Sequence, residues 1–251
     1  MDNRFMTTAP PEISPKPTPL TELSIQLKTR GYAILDASSV CVWSGCSIDD
    51  LNNLLASWND MPTDQYLKDG GRYRKRRHSS FKFEADVFTL VPHRAHWQPL
   101  TYNALHGGMT RWFEPISGQI TALPAWQKLL TAFAKTSNDP QALQCIEAHQ
   151  FRIETAGGSI GRPTPEGAHR DGVDLVAVFM VGRQNIKGGE TRVFDAAGST
   201  GERFTLQEPW SLLLLDDAKV IHESTPIQPL TDFGYRDTLV LTCKQGRFLE
   251  P

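Results

Sequence analysis

The chain lacks the features that would mark it as secreted, membrane-spanning or nucleic-acid-binding. Only four of its 251 residues are cysteine, at Cys41, Cys46, Cys145 and Cys243. They form no Cys-x-x-Cys pair and no zinc-like spacing, so they predict reduced structural thiols, with neither a disulfide framework nor a thiolate metal site. No apolar run approaches the ~20 residues that a bilayer-spanning helix needs. With 26 basic and 28 acidic residues the formal charge is −2, which gives no overall pull toward nucleic acid or an anionic membrane. Residues 1–19 have no apolar centre of the kind a signal peptide carries, and the expectation is a cytoplasmic protein. No internal repeat is visible.

What is present is a core for one domain, with 39% hydrophobic and 22% charged residues. Pro10, Pro11, Pro15, Pro17 and Pro19 predict a flexible or extended proline-rich arm over 1–19, followed by a single domain over 20–251. Thr21 is expected to N-cap a helix whose stripe is Leu20, Leu23 and Leu27 and which Gly31 ends. A short strand over Tyr32–Asp36 follows. A second helix is expected from Ser47, with Asp50 completing a capping box and Ile48, Leu51, Leu54, Leu55 and Trp58 inward. A third covers Pro124–Lys135, with Trp126, Leu129, Leu130 and Phe133 inward. Residues 20–145 therefore read as helix-rich support.

From about residue 146 to 245 the texture changes to strands. Phe151–Glu154, Leu175–Val181, Thr191–Phe194, Trp210–Leu215, Val220–Ser224 and Tyr235–Cys243 are β-branched or apolar runs, punctuated by Gly157-Gly158, Gly188-Gly189, Gly198 and Asp216-Asp217. The fold class is mainly β, a sandwich or barrel with helices packed outside.

The chemistry sits in this second half. His169-Arg170-Asp171 places an imidazole and a carboxylate at i and i+2, on one face if the backbone is extended. His222 follows Asp171 after 222 − 171 = 51 residues. Two imidazoles and one carboxylate leave coordination positions open, which is the donor set of non-haem Fe(II) oxygenases. Fourteen residues further on (236 − 222), Arg236 and Thr238 again share one strand face; a guanidinium there is a fork for the carboxylate of an oxo-acid. A surface arginine paired with Asp232 or Asp237 has the same spacing.

In this order the four elements resemble the 2-oxoglutarate- and Fe(II)-dependent dioxygenases, whose pattern is H-x-D, a distal His, then Arg-x-Ser or Arg-x-Thr. The resemblance is firmest over residues 147–243. It implies a double-stranded β-helix, a jelly-roll (cupin-like) barrel with the metal at its open mouth. It also implies Fe(II) held by His169, Asp171 and His222, with 2-oxoglutarate and O₂ as co-substrates. Arg236 and Thr238 would hold the distal carboxylate of 2-oxoglutarate, and succinate and CO₂ would be released as a C–H bond is hydroxylated.

Two further arginine sites are less determined. Arg152, on the strand before the H-x-D segment, either faces the cavity and touches the co-substrate or lies exposed. The run Arg72–His78 has three readings: a solvated loop, a nucleic-acid patch, or a guanidinium for the carboxylate of a small substrate. No helix-turn-helix, finger or stacking motif accompanies it, and the third reading fits best, with Arg74 and Arg77 as the substrate residues. The segment resembles the arginine-rich stretch of bacterial hydroxylases that act on free L-amino acids, so the expected substrate is a free or N-substituted aliphatic L-amino acid. A peptide, protein or natural-product substrate is the alternative within the fold, and a non-catalytic jelly-roll binding module is the alternative outside enzymology. A homo-oligomer is compatible with the sequence, which does not determine the oligomeric state.

Overall fold

The computed structural model describes residues 12–137, 139 and 141–251. Twelve strands run in chain order: β1 (Tyr32–Leu35), β2 (Arg74–Glu84), β3 (Val87–Leu90), β4 (Gln144–Ala156), β5 (Leu175–Gln184), β6 (Ile186–Gly188), β7 (Thr191–Asp195), β8 (Gly201–Phe204), β9 (Leu212–Asp216), β10 (Val220–Ser224), β11 (Ile227–Pro229) and β12 (Phe233–Gln245). A seven-stranded antiparallel sheet has the order β1-β9-β5-β12-β4-β2-β3, and it faces a smaller sheet, β10-β7-β8. A third pair, β11-β6, completes the set. The expected jelly roll is the fold of this chain.

The period-two alternation of the strands decides what lies on each face of the large sheet. Ile146 and Ala148 of β4, Ala177 and Phe179 of β5, Leu212 and Leu214 of β9 and Leu239 and Leu241 of β12 all join one apolar cluster. That cluster is closed by helices α1 (Leu23–Arg30), α2 (Ala37–Ser44), α3 (Ile48–Asn52), α4 (Gly118–Thr121) and α5 (Pro124–Lys135). Trp126, Leu129, Leu130 and Phe133 of α5 are fully buried in it, each contributing about 1.5–3 kcal/mol of burial. β9 reads as an unbroken leucine run because both its faces are covered: Leu213 and Leu215 enter a second cluster with Tyr32, Val176, Met180, Val193 and Val220 between the sheets.

The inner face changes character along the sheet. Beyond this second cluster it carries Arg236, Thr238 and Thr242 of β12, Glu147 and His149 of β4, and Arg74 and Arg76 of β2, all lining one cavity. The apolar end holds the two sheets together; the polar end is left for chemistry.

Several expectations differ from the structure. Thr21 does not cap α1; it lies inside a 3₁₀ turn over Leu20–Glu22 that leads into the helix. Gly31 does end α1, in the left-handed region at φ 76°. The Ser47–Asp50 capping box forms, yet Ile48 and Leu55 point outward while Leu51, Leu54 and Trp58 are buried, because the helix stops at Asn52 and a separate 3₁₀ turn carries Leu55–Trp58. α2 was not expected. Nor was β2: the basic run enters the large sheet, where Arg76 is opposite Phe151 and His78 opposite His149 on β4. Of the proline-rich arm, residues 1–11 lie outside the described residues. Residues 12–19 have no regular structure but are hydrogen-bonded to the domain, Thr205 N donating to Ile13 O at 2.8 Å and Thr18 N to Ile34 O at 2.6 Å.

Candidate metal centre and its cavity

His169 and Asp171 lie in the connection between β4 and β5, not on a regular strand as their i, i+2 spacing suggested. His169 forms a single antiparallel bridge with His222 of β10, its N–H donating to the His222 carbonyl at 3.0 Å and its carbonyl accepting from the His222 N–H at 2.9 Å. This bridge brings the two imidazoles to 4.6 Å between ring centroids. Asp171 is fixed by Asp217, the second residue of the β9–β10 turn. One Asp217 carboxylate oxygen accepts from Asp171 N at 2.9 Å; the other accepts from Gly172 N at 2.8 Å and Val173 N at 3.2 Å. Gly172 has φ +79°, and a Cβ there would collide with the Tyr102 ring, so glycine is needed at this exit.

One ligating atom from each of His169, Asp171 and His222 falls within 4.8 Å of the others. His169 donates from Nδ1 to the Gly167 carbonyl at 3.0 Å, which orients the ring and leaves Nε2 as the ligating nitrogen. Nε2 is 3.6 Å from Asp171 Oδ1, and His222 Nε2 is 3.9 Å from Asp171 Oδ2. Burial alone would discharge His169, but hydrogen bonding and charge from Asp171, with Glu166 adding, raise it to about 10. Burial and the neighbouring His169 push His222 down to about 4. Asp171 stays a carboxylate despite its burial, because the histidines hold its pKa below the usual range. Two nitrogens and a carboxylate thus converge where positive charge is favoured, and this donor set fits a divalent iron ion.

The family model described as 2OG-Fe dioxygenase matches residues 55–242, a span that contains His169, Asp171, His222, Arg236 and Thr238. That covers well over half of the chain. The chain belongs to the 2OG-Fe dioxygenase family. Among solved structures, a bsmA homolog from Methylobium petroleophilum is 50% identical, covering 95% of this chain and 98% of that one at a TM-score of 0.88. IDO from Bacillus thuringiensis is similar in fold at 17% identity, covering 94% and 99% with a TM-score of 0.74. The Fe(II)/α-ketoglutarate-dependent dioxygenase TqaL is 20% identical, covering 90% and 86% with a TM-score of 0.67. A search of curated proteins finds no match. Fe(II), 2-oxoglutarate and O₂ are the cofactor and co-substrates of the family.

The dioxygenase cavity is lined on the metal side by His169, Asp171, His222, Arg236 and Thr238. Arg236 is buried, has no carboxylate partner within the described residues, and leaves Nε without a hydrogen bond. Its burial and the neighbouring Arg183 lower it to about 10, which still leaves a full cation at neutral pH. On the far side stand Arg74, Arg76, His96, His106, Arg111 and His149.

The other predicted arginines divide. Arg74 faces the cavity but is paired with Asp64 at 2.7 Å. Arg77 does not face it. One residue out of phase on β2, it turns outward to Glu114 and to the Asp60 and Pro115 carbonyls, so the strand period assigns the cavity to Arg76. Arg152 is likewise displaced: its fork binds Asp237 through Nε at 2.8 Å and Nη2 at 2.7 Å, both residues being the off-cavity members of their strands.

Arg76 is buried with its guanidinium 4.1 Å from the Phe113 ring centre and 4.6 Å from that of Phe151. Its Nη2 reaches His149 Nδ1 at 3.0 Å, and its Nε has no partner. Sequence reasoning missed Gln98 and Arg111, which belong to an irregular segment without periodicity. Arg111 Nη2 donates to Gln98 Oε1 at 3.0 Å, and Gln98 Nε2 donates to Asp171 Oδ1 at 3.1 Å, joining the far side to the metal carboxylate.

A second group, His78, His96, Glu147 and His149, also brings its ligating atoms within 4.8 Å. Here Glu147 already accepts from Arg94 at 2.9 Å and contacts His78 at 3.0 Å and His96 at 3.2 Å. A metal ion there would sit against the Arg94 and Arg76 guanidiniums, which like-charge repulsion opposes. The group is a hydrogen-bonded wall that carries the anion-attracting face of the cavity.

Proposed function

We propose that this dioxygenase hydroxylates an aliphatic C–H bond of a free or N-substituted L-amino acid, with release of succinate and CO₂. His169, Asp171 and His222 would hold the iron, which when bound supplies oxygen activation. Arg236, with Thr238, would receive the distal carboxylate of 2-oxoglutarate through a charged fork and a hydroxyl. Arg76, with Arg74 beside it, would receive the carboxylate of the substrate.

One observation carries this reading. Among the described residues eleven buried side-chain atoms lack a hydrogen-bond partner, and seven of them belong to cavity residues: Arg74, Arg76, His106, Arg111, Glu166, His222 and Arg236. Unmet polar groups are costly in a folded interior, and a cluster of them around one space supports ligands that complete them. The excess of donors supports carboxylate ligands. Their burial supports a small molecule over a protein segment, which would need an open groove.

The test is succinate release from 2-oxoglutarate with Fe(II) and ascorbate across the twenty L-amino acids and their N-succinyl and N-acetyl derivatives. Stimulation by an aliphatic member, with a product heavier by one oxygen atom, is expected. Stimulation by a peptide or by none of these compounds would overturn the amino-acid substrate.

A further inference from the structure

Glu166 stands apart in this cavity. Three carboxylates line it: Glu147, Glu166 and Asp171. Glu147 is satisfied by His78, His96 and Arg94, and Asp171 belongs to the metal group and accepts from Gln98. Glu166 alone has an unmet oxygen: Oε2 is buried and has no hydrogen-bond partner. Among the described residues its one ionic contact within 4 Å is Oε1 to His169 Nε2 at 3.7 Å. With an ion held at Nε2 the imidazole would be neutral, and this contact would carry no compensating charge. Glu166 also lies outside the set of atoms that converge on the metal. A carboxylate with a buried, unmet oxygen favours a cation, and among the described residues no cationic side chain other than His169 lies within 4 Å of it.

Resting on the amino-acid reading above, we infer that Glu166 accepts the positively charged primary amine of the substrate and selects against N-acylated substrates. The cavity then presents unmet donors on Arg76 and Arg111 and one unmet charged acceptor on Glu166, the complement of an α-amino acid zwitterion. An N-acyl group removes the charge, leaves Glu166 Oε2 buried and unpaired, and adds bulk beside it. Glu166 thus separates the two substrate forms that the arginines alone accept equally.

The experiment compares kcat/KM for a stimulating free amino acid and for its N-acetyl derivative, in wild type, Glu166→Gln and Glu166→Asp. The visible absorption band that Fe(II) and 2-oxoglutarate give together checks that each variant is folded and loaded. Wild type is expected to favour the free amine. In Glu166→Gln the KM for the free amine should rise about tenfold or more, as loss of a buried charged hydrogen bond implies, and the preference over the N-acetyl form should fall by a similar factor. Glu166→Asp should recover part of it. An unchanged preference in loaded Glu166→Gln overturns the inference. Loss of the absorption band in both variants overturns it too, by placing Glu166 in support of the metal. Wild type stimulated only by the N-acetyl form overturns the inference while leaving the amino-acid reading intact; stimulation by neither form removes both.

Discussion

At the scale of single residues, the cavity separates side chains that are adjacent in sequence. Arg76 and Arg77 are chemically identical, yet one is buried between two phenyl rings over the cavity and the other is bound to Asp60 and Glu114 outside it. Arg76→Ala should abolish substrate-stimulated succinate formation, whereas Arg77→Ala should change kcat/KM by less than about threefold, the scale of a surface ion pair. Equal losses in the two variants would show that the strand phase is misassigned. On the metal side, Arg236→Ala should raise the KM for 2-oxoglutarate by about 10- to 100-fold, the range of a charge-assisted fork. Iron bound per chain, measured by elemental analysis, should stay the same. H-x-D, His222 and Arg-x-Thr were legible because their chemistry is confined to short motifs. Gln98, Arg111 and Asp217 were not, since nothing in their local sequence marks a residue that acts through a neighbour 13, 46 or 73 positions away.

At the scale of elements, His169 and Asp171 lie in the connection between β4 and β5, while His222 is the middle residue of β10. The β9–β10 turn supplies Asp217, whose carboxylate gathers the N–H groups of Asp171, Gly172 and Val173. Burial and the charge of Asp171 raise Asp217 to about 6, with the backbone N–H groups opposing. Gly172→Ala should therefore be severe: it places a Cβ at φ +79° and against the Tyr102 ring. The expected cost is roughly 1–3 kcal/mol, seen as a lower thermal midpoint, together with loss of iron because Asp171 is the preceding residue. A variant that melts normally and binds iron in full would show that the exit from H-x-D is pliable. The long helix α5 was legible from its period, Pro124 at its start and all four of its inward residues included. β2 was hidden because its inner face is charged, and strand patterning is ordinarily recognised by apolar residues on the buried side.

At the scale of the whole molecule, a charged interior makes stability depend on pH. Burial holds His96 at about 4, and His149 well below its ordinary value. The unfolded chain protonates these imidazoles near 6.5. Between about 6.5 and 4 the unfolded state therefore binds more protons, and stability falls as pH falls. Glu147, kept below the usual carboxylate range by His96 and His78 against its own burial, acts in the same direction: its contribution is present above about 4.3 and is lost as it protonates at lower pH. The thermal midpoint of the metal-free protein should rise as pH falls from 8 to 7, because folded His169 keeps a proton that the unfolded chain has released, and then drop from 6.5 to 4, with up to about 1.4 kcal/mol per pH unit for each fully shifted group. A midpoint that rises on acidification over that range would contradict neutral burial of these histidines.

By itself the sequence determined a mainly β fold class and, through the resemblance its short motifs carry, the jelly roll and the metal-binding triad, because strand alternation and a donor motif are local properties of the chain. Only the tertiary structure decided which arginines are free to meet a ligand. Whether a guanidinium is paired, as Arg74 and Arg152 are with Asp64 and Asp237, or buried without a carboxylate, as Arg76 and Arg236 are, depends on residues brought together by sheet register and not by sequence proximity. The polar lining of the cavity includes such pairings left unmade.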